Sequence, residues 1–165
     1  MTEFERIYQD YFRHVELYLL ALCKDETLAE ELTAQVFYRA LHALPKFRGN
    51  CSVSTWLCAI AKNAYITQMS KHRTDVPLDA ITIPDTGKSV EERIIDNEQA
   101  ALIHQVLHSL PEPYKEVFSL RVFAQLPFSE IGTLFGRNQN WACVTYYRAR
   151  KKIQAALEEY NDERL

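Results

Sequence analysis

Five cations lie between Arg137 and Lys152 with no acid among them: Arg137, Arg148, Arg150, Lys151 and Lys152. Charge gathered in this way suits phosphate, whose contacts give affinity without sequence information. A helix that binds nothing would also tolerate cations near its C-terminus, where the macrodipole favours them. No other chemistry is as well supported. His104 and His108 have the i, i+4 spacing of a metal pair, but no third ligand supports them and the glutamate of an H-E-x-x-H motif is missing. The chain has four glycines, and they form no phosphate-cradling loop. No Ser-His-Asp or Cys-His order is suggested, and the carboxylates fall on exposed helix faces rather than in acid-base pairs. These absences point away from an enzyme, a cofactor and a metal, and leave a protein that binds.

Residues 128–153 would position those cations. Phe128, Ile131 and Leu134 have helical spacing. Gly136 can close that short helix in the left-handed conformation. Asn138 can cap a second helix. There Ala142, Tyr146, Ala149 and Ile153 step by four, three and four and form an inner stripe. Asn140, Trp141, Val144, Thr145, Tyr147, Arg148, Lys151 and Lys152 are left outside. Short helix, tight turn and a second helix with a basic end is the helix-turn-helix pattern.

Bulk properties set the frame. The 165 residues carry a formal charge of −3, so the body is not an indiscriminate nucleic-acid coat. Four cysteines, Cys23, Cys51, Cys58 and Cys143, show no C-x-x-C spacing, which suggests a reducing cytoplasm. The N-terminus is polar and mixed in charge, unlike a secretory signal. The apolar run Leu17 to Cys23 is far too short to span a bilayer, so no membrane insertion is expected.

The first block, residues 1–73, reads as three helices. Phe4, Ile7, Tyr11, Val15, Leu19 and Leu22 mark one ending near Lys24. Asp25 or Thr27 can cap the next, whose apolar face is Leu28, Leu32, Val36, Phe37, Ala40, Leu41 and Leu44, stopped at Pro45. After the polar loop 46–53, Ser54 can cap a third helix through Trp56, Leu57, Ile60, Ala64 and Met69 to Arg73. Residues 74–89 hold Pro77, Pro84 and Gly87 with no helical period, and read as a flexible acidic linker. The second block, residues 90–165, opens on the capping-box spacing Ser89-x-x-Glu92. It continues through Ile94, Ile95, Leu102, Ile103, Val106, Leu107 and Leu110, breaks at Pro111 and Pro113, and ends in the helix-turn-helix. The expected fold is all-α: two small helical domains joined by a linker.

The order of short motifs adds a resemblance. Ala29-Glu30-Glu31-Leu32, Phe37-Tyr38-Arg39-Ala40-Leu41, Leu44-Pro45-Lys46-Phe47-Arg48-Gly49, Ser54-Thr55-Trp56-Leu57 and Ile60-Ala61-Lys62-Asn63 resemble the sigma-2 domain of extracytoplasmic-function (group IV) RNA polymerase sigma factors. Leu110-Pro111-Glu112-Pro113-Tyr114 through Phe118, Phe128-Ser129-Glu130-Ile131-Gly132 and Tyr147-Arg148-Ala149-Arg150-Lys151-Lys152 resemble the sigma-4 domain of that family. Both blocks are covered, in the family's order.

The resemblance implies roles. The second helix would dock on the clamp coiled coil of the polymerase largest subunit, with Glu30, Glu31, Gln35 and Arg39 as its polar contacts. The second block would meet the flap of the second subunit. The loop 46–53 and the start of the third helix would receive a base extruded from the minus-ten element. Extrusion costs roughly a few kcal/mol of stacking, which the pocket must offset. Asn50, Ser52 and Asn63 suit base edges there, and Arg48 and Lys62 suit phosphate. Cys143, Val144, Thr145, Tyr147 and Arg148, with Asn140, Trp141 and Lys151, would read the minus-thirty-five element. Cys143 stands where the family often has a cation. A membrane-tethered anti-sigma partner is typical of the family. Two other readings remain open at this point: a stand-alone helix-turn-helix regulator with an α-helical sensor domain, and a helical adaptor.

Overall fold

In the computed structural model, which describes residues 1–75 and 98–163, seven α-helices and one 3-10 turn follow from local signals in the chain. Helix α1 (Glu3–Cys23) starts in a full capping box: Thr2 Oγ1 accepts from Glu5 N at 3.2 Å, and Thr2 N donates to Glu5 Oε2 at 2.7 Å. It ends at Lys24, which takes the left-handed conformation at φ 61°. Asp25 Oδ1 then caps α2 (Glu26–Ala43), accepting from Thr27 N and Leu28 N. Thr27 lies inside that first turn, so Asp25 alone is the cap. Pro45 ends the helix as expected, in a 3-10 turn over Leu44–Lys46.

Helix α3 (Val53–Asp75) departs from expectation at both ends. Ser52, not Ser54, caps it: Ser52 Oγ accepts from Thr55 N at 3.2 Å, while Ser54 Oγ donates to Ala124 O at 3.4 Å. Both serines have cap chemistry; Ser52 stands three residues before the first free amide it can reach. At the far end, α3 continues past Arg73 to Asp75.

The second unit is α4 (Glu98–Ser109), α5 (Tyr114–Val122), α6 (Phe128–Leu134) and α7 (Gln139–Glu163). The sequence expectations for Pro77, Pro84, Gly87, the Ser89/Glu92 box, Ile94 and Ile95 lie outside the described residues. Within these residues there is no strand.

Helices α1, α2 and α3 pack on one another around Tyr18, Leu19, Leu32, Val36 and Leu57, each 0% exposed. The same apolar cluster runs on into Val117, Leu120, Leu126, Ile131 and Ala142 of the second unit, because α5 lies against α1 and α6 against α3. A separate cluster of Val106, Leu107, Phe118, Ala149 and Ile153 ties α4, α5 and α7 together. Burying each large side chain of this kind is worth about 1.5–3 kcal/mol, so these seams fix how the helices stand. Leu41 is a correction: placed on the inner face of α2 by its spacing, it is 46% exposed.

Candidate nucleic-acid interface

Two faces carry the candidate residues. The first to consider is α7 with its turn. Gly136 takes φ 66°, and Asn138 Oδ1 accepts from Trp141 N at 2.8 Å, so the turn and cap form as the sequence signalled. Gly132 sets the spacing between the helices. A Cβ there would meet Asn138 O at 2.6 Å and Arg137 O at 2.8 Å, closer than any side chain could sit. Only a glycine lets α6 approach the turn backbone this closely. Arg121 braces the preceding bend: its guanidinium donates to Leu126 O at 3.1 Å and lies 4.1 Å from the Phe128 ring centroid.

The inner stripe of α7 is Ala142, Thr145, Ala149 and Ile153. Thr145 was expected outside and is 6% exposed; Tyr146, expected inside, is half-buried against Phe118 and Phe128. Steps of three and of four are both helical, and the small Ala142-x-x-Thr145-x-x-x-Ala149 edge lets α7 sit closer than a tyrosine edge would. Trp141 and Cys143 are half-buried, Trp141 packing on the Phe135 ring at 5.2 Å. Asn140, Val144, Tyr147, Arg148, Arg150, Lys151 and Lys152 are exposed. A shallow groove of about 380 Å³ opens on this side, lined by Arg137, Asn138, Trp141, Thr145 and Arg148 among others. It joins two guanidinium-bearing side chains to an aromatic wall, a combination suited to phosphate and base edges. Arg137, counted only as charge in the sequence, belongs to this groove.

The other face is the loop before α3 and that helix's first three turns. Phe47 stacks on Trp56 at 4.6 Å and 29°, which pins the start of the loop to α3. Arg48, Asn50 and Asn63 are exposed. Ser52 and Lys62 are already engaged, and by the second unit. Glu130 takes Ser52 N at 3.1 Å and Ser52 Oγ at 2.9 Å. Lys62 Nζ lies 3.3 Å from Glu116 Oε1 and 4.0 Å from the Phe135 ring centroid. Tyr18 OH donates to the same Glu116 oxygen at 3.0 Å. Burial, reinforced by Glu116, holds the Tyr18 phenol well above its ordinary value, so it remains a donor.

On α2, Glu30, Glu31, Gln35 and Arg39 are all exposed. Tyr38 and Leu41 stand out among them at 66% and 46% exposure, the apolar content a docking face needs.

Burial pushes the Cys23 and Cys58 thiols up to about 12, which removes them as thiolate nucleophiles. The His104 and His108 rings lie 6.3 Å apart, with His104 stacked on Phe123. Burial, with Lys24 and Lys115 nearby, lowers His108 to about 4. Among the described residues no group of three potential ligands could hold a metal, and no helix is long and apolar enough to cross a membrane.

Comparison with known proteins agrees with this geometry. The family model for Sigma-70 region 2 matches residues 7–74, and that for Sigma-70, region 4 matches residues 100–153. The RNA polymerase sigma factor YlaC of Bacillus subtilis (strain 168) is 24% identical, with 96% of this chain and 94% of the relative covered. The ECF RNA polymerase sigma factor SigM of the same organism is 27% identical over 96% of this chain and 98% of the relative. Among solved structures, the sigma factor RpoE in complex with the anti-sigma factor NepR from Bartonella quintana superposes with a TM-score of 0.73 at 14% identity, covering 96% of this chain and 98% of that one. CnrH in complex with the cytosolic domain of CnrY gives 0.71 at 18% identity, covering 94% and 88%.

Proposed function

The chain belongs to the sigma-70 family, in its extracytoplasmic-function branch, and from that premise we infer that it is a sigma factor directing core RNA polymerase to promoters and assisting their opening. The observation that carries the reading is the pair of dissimilar faces in family order: a strand-sized polar loop on α3 and a cationic groove helix on α7. Arg148, Lys151 and Arg137 would meet phosphates of the minus-thirty-five duplex, while Asn140, Val144 and Tyr147 would approach base edges. Thr145 would act from the groove floor rather than its rim, and the half-buried Cys143 does not line it. Arg48, Asn50 and Asn63 would take the separated minus-ten strand, joined by Ser52 and Lys62 once these are free.

The α2 face, with Glu30, Glu31, Gln35 and Arg39 around Tyr38 and Leu41, would seat on the polymerase. The protein would do no covalent chemistry of its own and would work in the cytoplasm. Two solved neighbours are complexes with an anti-sigma factor or with a cytosolic domain of a second protein, which supports a similar antagonist here. Run-off transcription with purified core polymerase tests the proposal. Specific initiation only when the chain is added is the expected result. Tight duplex binding without polymerase would favour a stand-alone regulator instead, and neither activity would favour an adaptor.

A further inference from the structure

We propose that the outer face of α7 binds the same face of a second copy of this chain, in an antiparallel pair whose two-fold axis crosses the helix at Ala155. The family match ends at Ile153, the last fully buried residue of α7, yet the helix runs on to Glu163. On its outer face, charge is antisymmetric about Ala155. Three, four and seven residues before it stand Lys152, Lys151 and Arg148; three, four and seven after it stand Glu158, Glu159 and Asp162. Steps of three, four and seven keep these residues on one side of a helix. Ala155 and the six charged residues are all exposed. Among the described residues none of the six forms an ion pair within the chain, and Lys152 lies 5.1 Å over the Tyr114 ring.

A two-fold axis at Ala155 sets the residue n places before it against the residue n places after it in the second copy. Arg148 then faces Asp162 of the second copy, Lys151 faces Glu159 and Lys152 faces Glu158, and symmetry makes each pair twice. Ala155 meets itself at the axis, where its single methyl leaves the helices room to close. A parallel pair would set lysine on lysine and glutamate on glutamate, so the charges choose the antiparallel one. The last turn of α7 also ends in Asp162 and Glu163 with no cation, where the helix dipole disfavours acids. Cations of a second copy offset that. One helix on one helix is a small contact held by exposed ion pairs, so the pair forms at high chain concentration and low salt. Arg148 and Lys151 are the side chains assigned above to promoter phosphates, so pairing and duplex binding compete. That consequence rests on the proposed function; the self-association does not.

Sedimentation velocity of the full chain, over a concentration series, tests the pair. The unaltered chain should pass from monomer to dimer, with association about tenfold weaker in roughly 0.5 M salt than in roughly 0.05 M. E158K/E159K sets lysine against lysine across the axis, and K151E/K152E sets glutamate against glutamate. Each alone should associate at least about tenfold more weakly than the unaltered chain. Mixed one to one, every altered residue meets its opposite, and association should return to within about threefold of the unaltered chain. R148E and D162R make the same swap seven residues from the axis and take the place of a double variant that fails to fold. An unaltered chain that stays monomeric, a variant that associates as before, or a mixture without recovery would overturn the proposal. No DNA or polymerase enters the measurement, so its result stands apart from that of run-off transcription.

Discussion

The two proposed nucleic-acid faces differ in readiness. On α7 the exposed cations and the groove are open to solvent, and their turn is set by Gly132, Gly136 and Asn138. On α3 the loop is formed, but Ser52 and Lys62 are held by Glu130 and Glu116. A duplex reader needs only a rigid cationic ridge, because the groove it enters already exists. A reader of a separated strand needs donors that are useful only after the duplex has opened.

The largest way to break the contrast is at Gly132. Gly132→Ala would push a methyl group into the turn backbone at 2.6 Å. We expect a loss of roughly 1–3 kcal/mol in stability from such overpacking. Promoter-directed transcription should collapse along with it. Thermal melting together with run-off transcription measures both, and an unchanged melting point would show that the turn can relax. Asn63→Ala, on the other face, should reduce open-complex formation about tenfold with polymerase binding intact, as expected for one base-edge contact. Permanganate reactivity of the melted region reports it; normal opening on every promoter tested would remove Asn63 from the strand face. Arg148→Ala should weaken duplex promoter binding several-fold and lower the salt slope by about one. An unchanged slope would mean that Arg148 touches no phosphate.

The smallest effect sharpens the comparison through stability. His108 sits in α4 with its Nδ1 buried and without a hydrogen-bond partner. Its folded value, about 4, lies below the ordinary 6.5, so the unfolded chain binds the proton first. Its neutral form therefore favours folding fully above pH 6.5, and that contribution is lost as pH falls towards 4. Replacing it by glutamine should flatten melting temperature against pH in that window. A profile as steep as before would assign the acid sensitivity to other groups.

Much of this architecture was legible in the chain. Periods of three and four located the helices because each has one strongly buried side, and Pro45, Gly136 and Asn138 ended or began them by local chemistry alone. Local signals failed where two residues had equal chemistry. Ser52 and Ser54 can both cap; Thr145 and Tyr146 both follow helical steps; tertiary packing chose between them. Leu41 failed for a related reason, since spacing says which side a residue is on but not where that side stops being covered. The Glu130 and Glu116 contacts were not legible at all. They join residues far apart in sequence, and nothing in the residues around a glutamate announces a distant serine or lysine.

The stacked Phe47 and Trp56 rings bear on how little the loop must change when a strand arrives. One end of the loop is clamped by these rings and the other by the Ser52 cap, which leaves only residues 48–51 to settle. Ordering a residue costs about 1–2 kcal/mol, so a loop free from 46 to 53 would lose roughly twice as much conformational freedom on binding. The rings thus act as a preset hinge, and on the proposed reading a flipped base would have only residues 48–51 to arrange around it.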